Sequence, residues 1–244
     1  MPCMAFEIFS TIDAKFEDLY IALREKEGRI YTAEECIELP YLSSRSKHFN
    51  EWKMRAETME RFLGYLEKRG QKKQLLDIGC GNGWFSHRCS QKIKTVVGVD
   101  LNVTELKIAA STFKNEGLSF AYWDVYDKNP FIFPFDYIVL NAVIQYFEDF
   151  SALIERLKGF LSPNGEIHIL DSPFYDKSTV EEARRRSKDY YQKMGFSELS
   201  SFYHHHLKSN VEHFEELYRP VQNKWKRKFF RNASPFSWYR YRLT

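Results

Sequence analysis

Between Gln74 and Ser172 five short, nearly continuous apolar runs alternate with amphipathic stretches, and this alternation constrains the fold more than any other feature of the chain. The runs are QLLDIG (74–79), TVVGVD (95–100), LSFAYWD (118–124), FDYIVLN (135–141) and EIHILDS (166–172). Helices are predicted from Trp84 to Lys92, Val103 to Lys114 and Phe150 to Leu161, with SPNG (162–165) as a turn before the fifth strand. Strands apolar on both faces belong in a parallel sheet covered on both sides. Right-handed crossovers then require a doubly wound, Rossmann-like α/β layout.

The flanks complete the layout. Upstream, Ala14 to Lys26 sets Phe16, Leu19, Tyr20 and Leu23 on one helical face, and Thr32 with Glu35 forms a capping box for a short second helix. A third helix runs from His48 to Lys68 with Trp52, Met59, Phe62, Leu63 and Leu66 as its apolar stripe and Gly70 as its stop. Downstream, residues 179–196 and 210–217 read as helices, 218–225 as a sixth strand, and PFSWYRYRL (235–243) as a last, antiparallel strand. The expectation is a mostly parallel seven-stranded sheet in a domain over residues 72–244, with a helical insertion at about 172–209 and an N-terminal helical cap over residues 1–71.

Composition narrows the setting. No window approaches the ~20 apolar residues that span a bilayer, and the N-terminus lacks a basic segment followed by an apolar core, so a soluble, cytoplasmic protein is expected. Cys3, Cys36, Cys80 and Cys89 form neither a CxxC pair nor a metal-ligand spacing, which predicts reduced thiols and no structural metal. Residues 172–244 hold 15 Lys and Arg against 8 Asp and Glu, concentrated in NKWKRKFFR (223–231) and Arg184 to Arg186. Such a run is read first as a solvated face, and otherwise as a contact for nucleic acid.

The stretch LLDIGCGNGWFS (75–86) carries the chemistry. It runs a strand through Gly79, Gly81 and Gly83 into a helix, at the place where a doubly wound sheet holds its ligand. Glycines let backbone approach a ligand closely, and the helix N-terminus offers unpaired N–H groups. A dinucleotide fingerprint GxGxxG would need glycine where Trp84 stands. Asp100, at the end of the next strand, is placed for the hydroxyls of a ribose.

At these residues the chain resembles the class I S-adenosylmethionine-dependent methyltransferases of small-molecule type, with their DxGxGxG signature, over about residues 72–171. The resemblance implies that Asp77, Gly79, Cys80, Gly81 and Gly83 wrap the methionine part of the cofactor. It implies further that Asp100 takes the ribose hydroxyls, Leu101 packs on adenine, Asp124 accepts from the adenine amino group beside the Val125 N–H, and Asn141 lines the methionine moiety. Gln145 and Tyr146 stand where relatives often carry a histidine pair, a departure that tells against a mechanism borrowing a base from there.

Methyl transfer from a sulfonium is an in-line displacement that depends chiefly on alignment, with a general base needed where the acceptor carries a proton. The acceptor pocket is expected above strands four and five, walled by the N-terminal helices and the insertion. Asp171, Tyr175, His204, His205 and His206 are the candidate catalytic groups, Arg55 the candidate partner for the cofactor carboxylate, and His168 a satisfied core histidine. Three adjacent histidines do not make a metal site, because their side chains diverge. The expected reaction moves a methyl group to an O or N atom of a small molecule. The alternatives are an RNA methyltransferase using the basic C-terminal region, a non-catalytic S-adenosylmethionine-binding partner protein, and a nicotinamide oxidoreductase, which Trp84 disfavours.

Overall fold

The computed structural model describes residues 6–70, 73–220 and 234–243. In chain order the elements are β1 (Glu7–Ile8), α1 (Ala14–Glu27), α2 (Ala33–Glu38), α3 (Phe49–Glu67), β2 (Gln74–Ile78), α4 (Trp84–Ser90), β3 (Thr95–Asp100), α5 (Val103–Thr112), β4 (Leu118–Tyr122) and β5 (Phe135–Asn141). There follow α6 (Phe150–Lys158), β6 (Leu161–Leu170), α7 (Val180–Met194), β7 (Glu215–Tyr218) and β8 (Trp238–Arg242). The helix starts follow local chemistry: Asp13, Asn102 and Asp149 accept backbone N–H groups at the first turns of α1, α5 and α6, and Thr32 and Glu35 complete the capping box of α2.

The strands lie in the order β1-β4-β3-β2-β5-β6-β8-β7. Pairing from β1 through β6 is parallel, and β8 runs antiparallel between β6 and β7. The period-two alternation of the strands divides the core. Leu75, Tyr137 and Val139 pack with Trp52, Met59, Phe62, Trp84 and Leu106 on one face. Leu76, Ile78, Ile138 and Leu140 pack with Phe150, Leu153, Ile154 and Leu157 on the other. Both faces are therefore sealed by helices, which is why these strands read as continuous apolar runs.

Three details depart from the sequence expectation. The sheet has eight strands among the described residues, because the extended segment before α1 adds the two-residue β1 to the edge at β4. Residues 210–217 do not form a helix: a short 3-10 turn over Lys208–Val211 gives way to β7. Pairing with β8 and the packing of Leu217 and Tyr218 on the core override the helical leaning of EHFEEL. The sixth strand thus ends at Tyr218, where it was expected to begin, and most of 218–225 lies outside the described residues, as do Cys3 and the basic run 223–231. Finally, β6 starts at Leu161 rather than Glu166, and SPNG is an irregularity within it, where the pairing jumps from Phe135↔Leu161 to Tyr137↔Glu166.

His168 is a satisfied core histidine, fully buried. Its Nδ1 accepts from the Trp238 indole at 3.0 Å, so Nε2 carries the proton and donates to Glu166 at 3.2 Å. Burial opposes ionisation of Glu166, but hydrogen bonds from His168, Tyr65 and Arg242 bring its carboxyl down to about 2. This network fastens β8 to β6, next to the edge of the sheet that β7 forms.

Candidate active site

The ends of β2, β3 and β5 meet at the glycine turn. Gly79 has φ +71° and its N–H donates to the Val99 carbonyl at 2.8 Å, which ties the turn to β3. A Cβ at Gly79 would come within 2.2 Å of the Val143 side chain, so glycine is required here by packing as well as by backbone. Gly81, with φ +52°, differs: its nearest side-chain atom would be Glu105 Oε2 at 3.6 Å, and it borders open cleft. That bare backbone is the cradle a ligand can approach.

The acids around the turn are held separately. Asp77 is 1% exposed and accepts from the Ser86 hydroxyl at 2.5 Å; burial pushes its carboxyl up to about 7 despite that bond. Asp100 accepts from the Gly81 N–H at 2.7 Å, and burial raises it to about 6 against the backbone N–H groups of Gly81, Leu101 and Asn102. Glu105, in the first turn of α5, is pushed up to about 7 by burial and by Asp100. Asp124 accepts from the Tyr126 N–H at 2.9 Å, while its own N–H donates to Ser10 at 2.8 Å. Asn141 Oδ1 and Asn102 Nδ2 are buried without a partner among the described residues, and both residues line the cleft.

Two cavities open on either side of the turn and share Tyr20, Gly79, Gly81 and Ala142 as lining. One is an apolar chamber of about 320 Å³ bounded by Asp100, Leu101, Trp123, Asp124 and Val125 below and by Phe16, Tyr146 and Phe202 above. The other is a polar pocket lined by Asp77, Asn141, Glu105 and the guanidiniums of Arg24, Arg29 and Arg55. Glu51 organises that pocket, accepting from Arg29 at 2.9 and 2.6 Å and from Arg55 at 3.2 Å. Burial raises Glu51, but these arginines bring it down to about 2. Ala142, at the seam between the cavities, holds φ +56°, and Asp171 holds φ +43° at the end of β6. Left-handed backbone costs an alanine or aspartate about 1 kcal/mol, and such strain concentrates at sites of function.

All ten cofactor positions read from the sequence lie at this turn or at the strand ends beside it, and nine line one or other cavity: Asp77, Gly79, Cys80, Gly81, Asp100, Leu101, Asp124, Val125 and Asn141. Gly83 instead packs under the turn, against Phe120 and Ala109. The catalytic candidates lie elsewhere. Asp171 is buried against Thr58 and Ser234, which donate at 2.8 and 2.9 Å, and burial raises its carboxyl. Tyr175 contacts the His205 ring, and its backbone pairs with His206 and Lys208. His205 meets the Ser187 hydroxyl at 2.9 Å, and His206 donates to the Ile144 carbonyl at 3.0 Å. His204 donates its backbone N–H to the Gln145 carbonyl. These histidines line a depression outside the cleft, beside Arg184 and Ser187. No group of three metal-ligating side chains occurs among the described residues.

Sequence reading missed Tyr20, Arg24 and Arg29. Phe16 and Tyr20 read as core stripe, yet they line the cleft. The available signal was Arg24, one helical turn after Tyr20 on the same face of α1.

A doubly wound sheet with β8 antiparallel, a GxGxG turn at the first central strand and an acid at the end of the next defines the class I S-adenosylmethionine-dependent methyltransferases. The chain belongs to the methyltransferase-domain family, whose profile matches residues 46–215. It is 29% identical over 96 residues to an uncharacterized methyltransferase of Mycobacterium bovis, covering 39% of this chain and 49% of that protein. The chain thus spans about half the length of the first curated relatives it matches. It is 27% identical over 193 residues to malonyl-[acyl-carrier protein] O-methyltransferase 2 of Ilyobacter polytropus, covering 75% of this chain and 67% of the relative. In fold it is similar to the magnesium protoporphyrin IX methyltransferase of Synechocystis PCC 6803, solved with bound S-adenosylhomocysteine, with TM-score 0.59, 12% identity and 93% and 94% of the two chains covered.

Proposed function

We propose that this chain transfers a methyl group to an oxygen or nitrogen atom of a small-molecule acceptor by in-line displacement. When bound, S-adenosylmethionine supplies an electrophilic methyl on sulfonium and leaves as S-adenosylhomocysteine. The observation that carries the reading is the paired cavity joined at Gly81, apolar on one side and charged on the other, which matches an adenosine joined to an amino acid. The unpartnered Asn141 Oδ1 and the open backbone of Gly81 fit that group.

In this reading Asp100 binds the ribose hydroxyls, Leu101 covers adenine, and Asp124 with the Val125 N–H reads the adenine edge. Gly79, Cys80, Gly81 and Asn141 hold the methionine portion, with Asp77 buried beneath them. Arg29 and Arg55, fixed by Glu51, take the carboxylate. The N-terminal cap of residues 1–71 and the insertion at 172–209 wall the acceptor space, and the residues doing so are Phe16, Tyr20 and Phe202. Support for a small acceptor comes from relatives named for malonyl-[acyl-carrier protein] and for ubiquinone biosynthesis. No described helix is long and apolar enough to cross a membrane, and Cys36, Cys80 and Cys89 are free and buried; both features suit the cytoplasmic enzyme we propose.

Calorimetric titration tests the assignment. S-adenosylmethionine and S-adenosylhomocysteine should bind one per chain, and NAD should give no heat. Heat with NAD and none with S-adenosylhomocysteine would sink the reading.

A further inference from the structure

At the seam between the two cavities the cap places a cation between two phenols. Tyr20 borders both cavities. Arg24 lies with its guanidinium 4.7 Å from the Tyr20 ring centre, and its Nη2 donates to the Tyr146 hydroxyl at 3.3 Å. Its Nη1 is held by Glu27 at 2.8 Å, which fixes the plane of the fork and turns the Nη2 edge toward Tyr146. The two tyrosine rings meet edge to face, 5.9 Å apart at 81°, and Phe16 and Phe202 extend the aromatic wall. Thus Arg24 is anchored from α1, while Tyr146 comes from the 3-10 turn after β5, on the opposite side of the seam.

The donors at the seam favour an anion. Arg24, Arg29 and Arg55 pair with Glu27 and Glu51, and Asp77, Glu105, Asp100 and Asp124 are the other carboxyls lining the two cavities. Burial raises Asp77 and Glu105 to about 7 and Asp100 to about 6, so the first two are only partly ionised at neutral pH. A bound S-adenosylmethionine brings a sulfonium, an ammonium and one carboxylate, and so adds a net positive charge. A guanidinium edge and phenol O–H groups are the donors that bind carboxylate oxygens best in a water-poor site. No histidine among the described residues lines either cavity, and burial pushes the Tyr20 phenol up, away from service as a base.

We infer that the methyl acceptor is a carboxylic acid, held as its carboxylate by Arg24 with the Tyr146 and Tyr20 hydroxyls and carried on an apolar or aromatic body. One carboxylate oxygen forms the new O–CH3 bond as the S–CH3 bond breaks and that electron pair stays on sulfur. The products are a methyl ester and a neutral thioether, with no proton to remove. This inference rests on the cofactor placement proposed above and narrows it to one class of acceptor.

The test uses three ligands that share a ring and differ in the head group: benzoate, benzyl alcohol and benzylamine, titrated into the protein saturated with S-adenosylhomocysteine. Benzoate should bind and the other two should bind at least about tenfold more weakly, as expected where a charged hydrogen bond decides affinity. Arg24→Gln should weaken benzoate by about tenfold or more and leave S-adenosylhomocysteine affinity within about twofold, while Arg24→Lys, which keeps the charge, should recover part of the loss. Tyr146→Phe should weaken benzoate by about threefold, one neutral donor being lost. If benzyl alcohol or benzylamine binds as well as benzoate, if benzoate does not bind, or if Arg24→Gln leaves it unchanged, the inference is overturned. A large loss of S-adenosylhomocysteine affinity in Arg24→Gln also overturns it, because Arg24 would then serve the cofactor carboxylate. Wild-type protein that fails to bind S-adenosylhomocysteine would instead overturn the cofactor placement.

Discussion

The two sides of the cleft are built by different means. The side proposed for the donor is made of strand ends and one turn: Gly79, Gly81, Asp100 and Asn141 lie within a few residues of the strands that hold them, and backbone hydrogen bonds set their places. The side proposed for the acceptor is made of side chains far apart in sequence, where Arg24 of α1 meets Tyr146 after β5 and Phe202 closes on Phe16. The first side is therefore sensitive to backbone changes, most of all at Gly79, and the second changes its chemistry one side chain at a time.

The largest effect should come from the turn itself. Gly79→Ala must hold φ +71° and push Val143 aside from 2.2 Å, so stability should fall by about 2–4 kcal/mol by chemical denaturation, summing left-handed strain and overpacking. Gly81→Ala, with 3.6 Å of room, should lose only the strain, about 1 kcal/mol, while still obstructing the cradle. Equal losses from the two would erase the distinction between a packing glycine and a cradle glycine.

Next in size is Asp100→Ala. Loss of a charged acceptor should weaken S-adenosylhomocysteine by about 1.5–3 kcal/mol, roughly tenfold to a hundredfold, with little change at the acceptor side. Because burial holds the Asp100 carboxyl at about 6, wild-type affinity should also fall as pH drops below that value and the acceptor oxygen is protonated. Affinity flat from pH 8 to pH 5 would show that its charge plays no part.

These differences explain what the sequence disclosed. The strands of the central sheet and the acids at their ends follow from local patterns, since apolar runs and glycine spacing act within a dozen residues. By contrast β7 was hidden because EHFEEL has helical propensity, and only pairing with β8 makes it a strand. Tyr20 was hidden for a related reason: an aromatic residue at helical spacing reads as core until the fold shows that its face borders a cleft. The histidine run was conspicuous in sequence, yet its side chains divide between Ser187 and the Ile144 carbonyl.

Asp77 sharpens the comparison through pH. Its folded carboxyl, pushed up to about 7 by burial, lies above the ordinary value of 3.8, so between these the folded chain holds a proton that the unfolded chain has released. The sign follows: its contribution favours folding at low pH and is lost as pH rises through about 7. Asp77→Asn keeps an oxygen for the Ser86 hydroxyl and removes the buried charge. At pH 8 it should therefore raise stability by about 1–2 kcal/mol, with the gain shrinking toward pH 4. A variant less stable than wild type at pH 8 would mean that the turn depends on the ionised form.

The smallest effect is expected on the outer face of the insertion. Arg184 pairs with Glu181 at 2.6 Å and Arg186 with Glu182 at 2.8 Å, and all four side chains are more than half exposed. Such pairs along a helix contribute about 0.3–0.5 kcal/mol, screened further by salt. Replacing both arginines with Gln should therefore shift the denaturation midpoint barely above error and leave S-adenosylhomocysteine binding unchanged. The same variant tests the basic residues of the insertion as a phosphate-binding face. Retention on RNA at low salt that disappears with these two charges would move the acceptor side from a small-molecule chamber to a surface, since the contacts with Glu181 and Glu182 would then be secondary to phosphate. Unchanged retention, or none in either protein, keeps α7 as a solvated wall whose inner face packs on α1 through Tyr191.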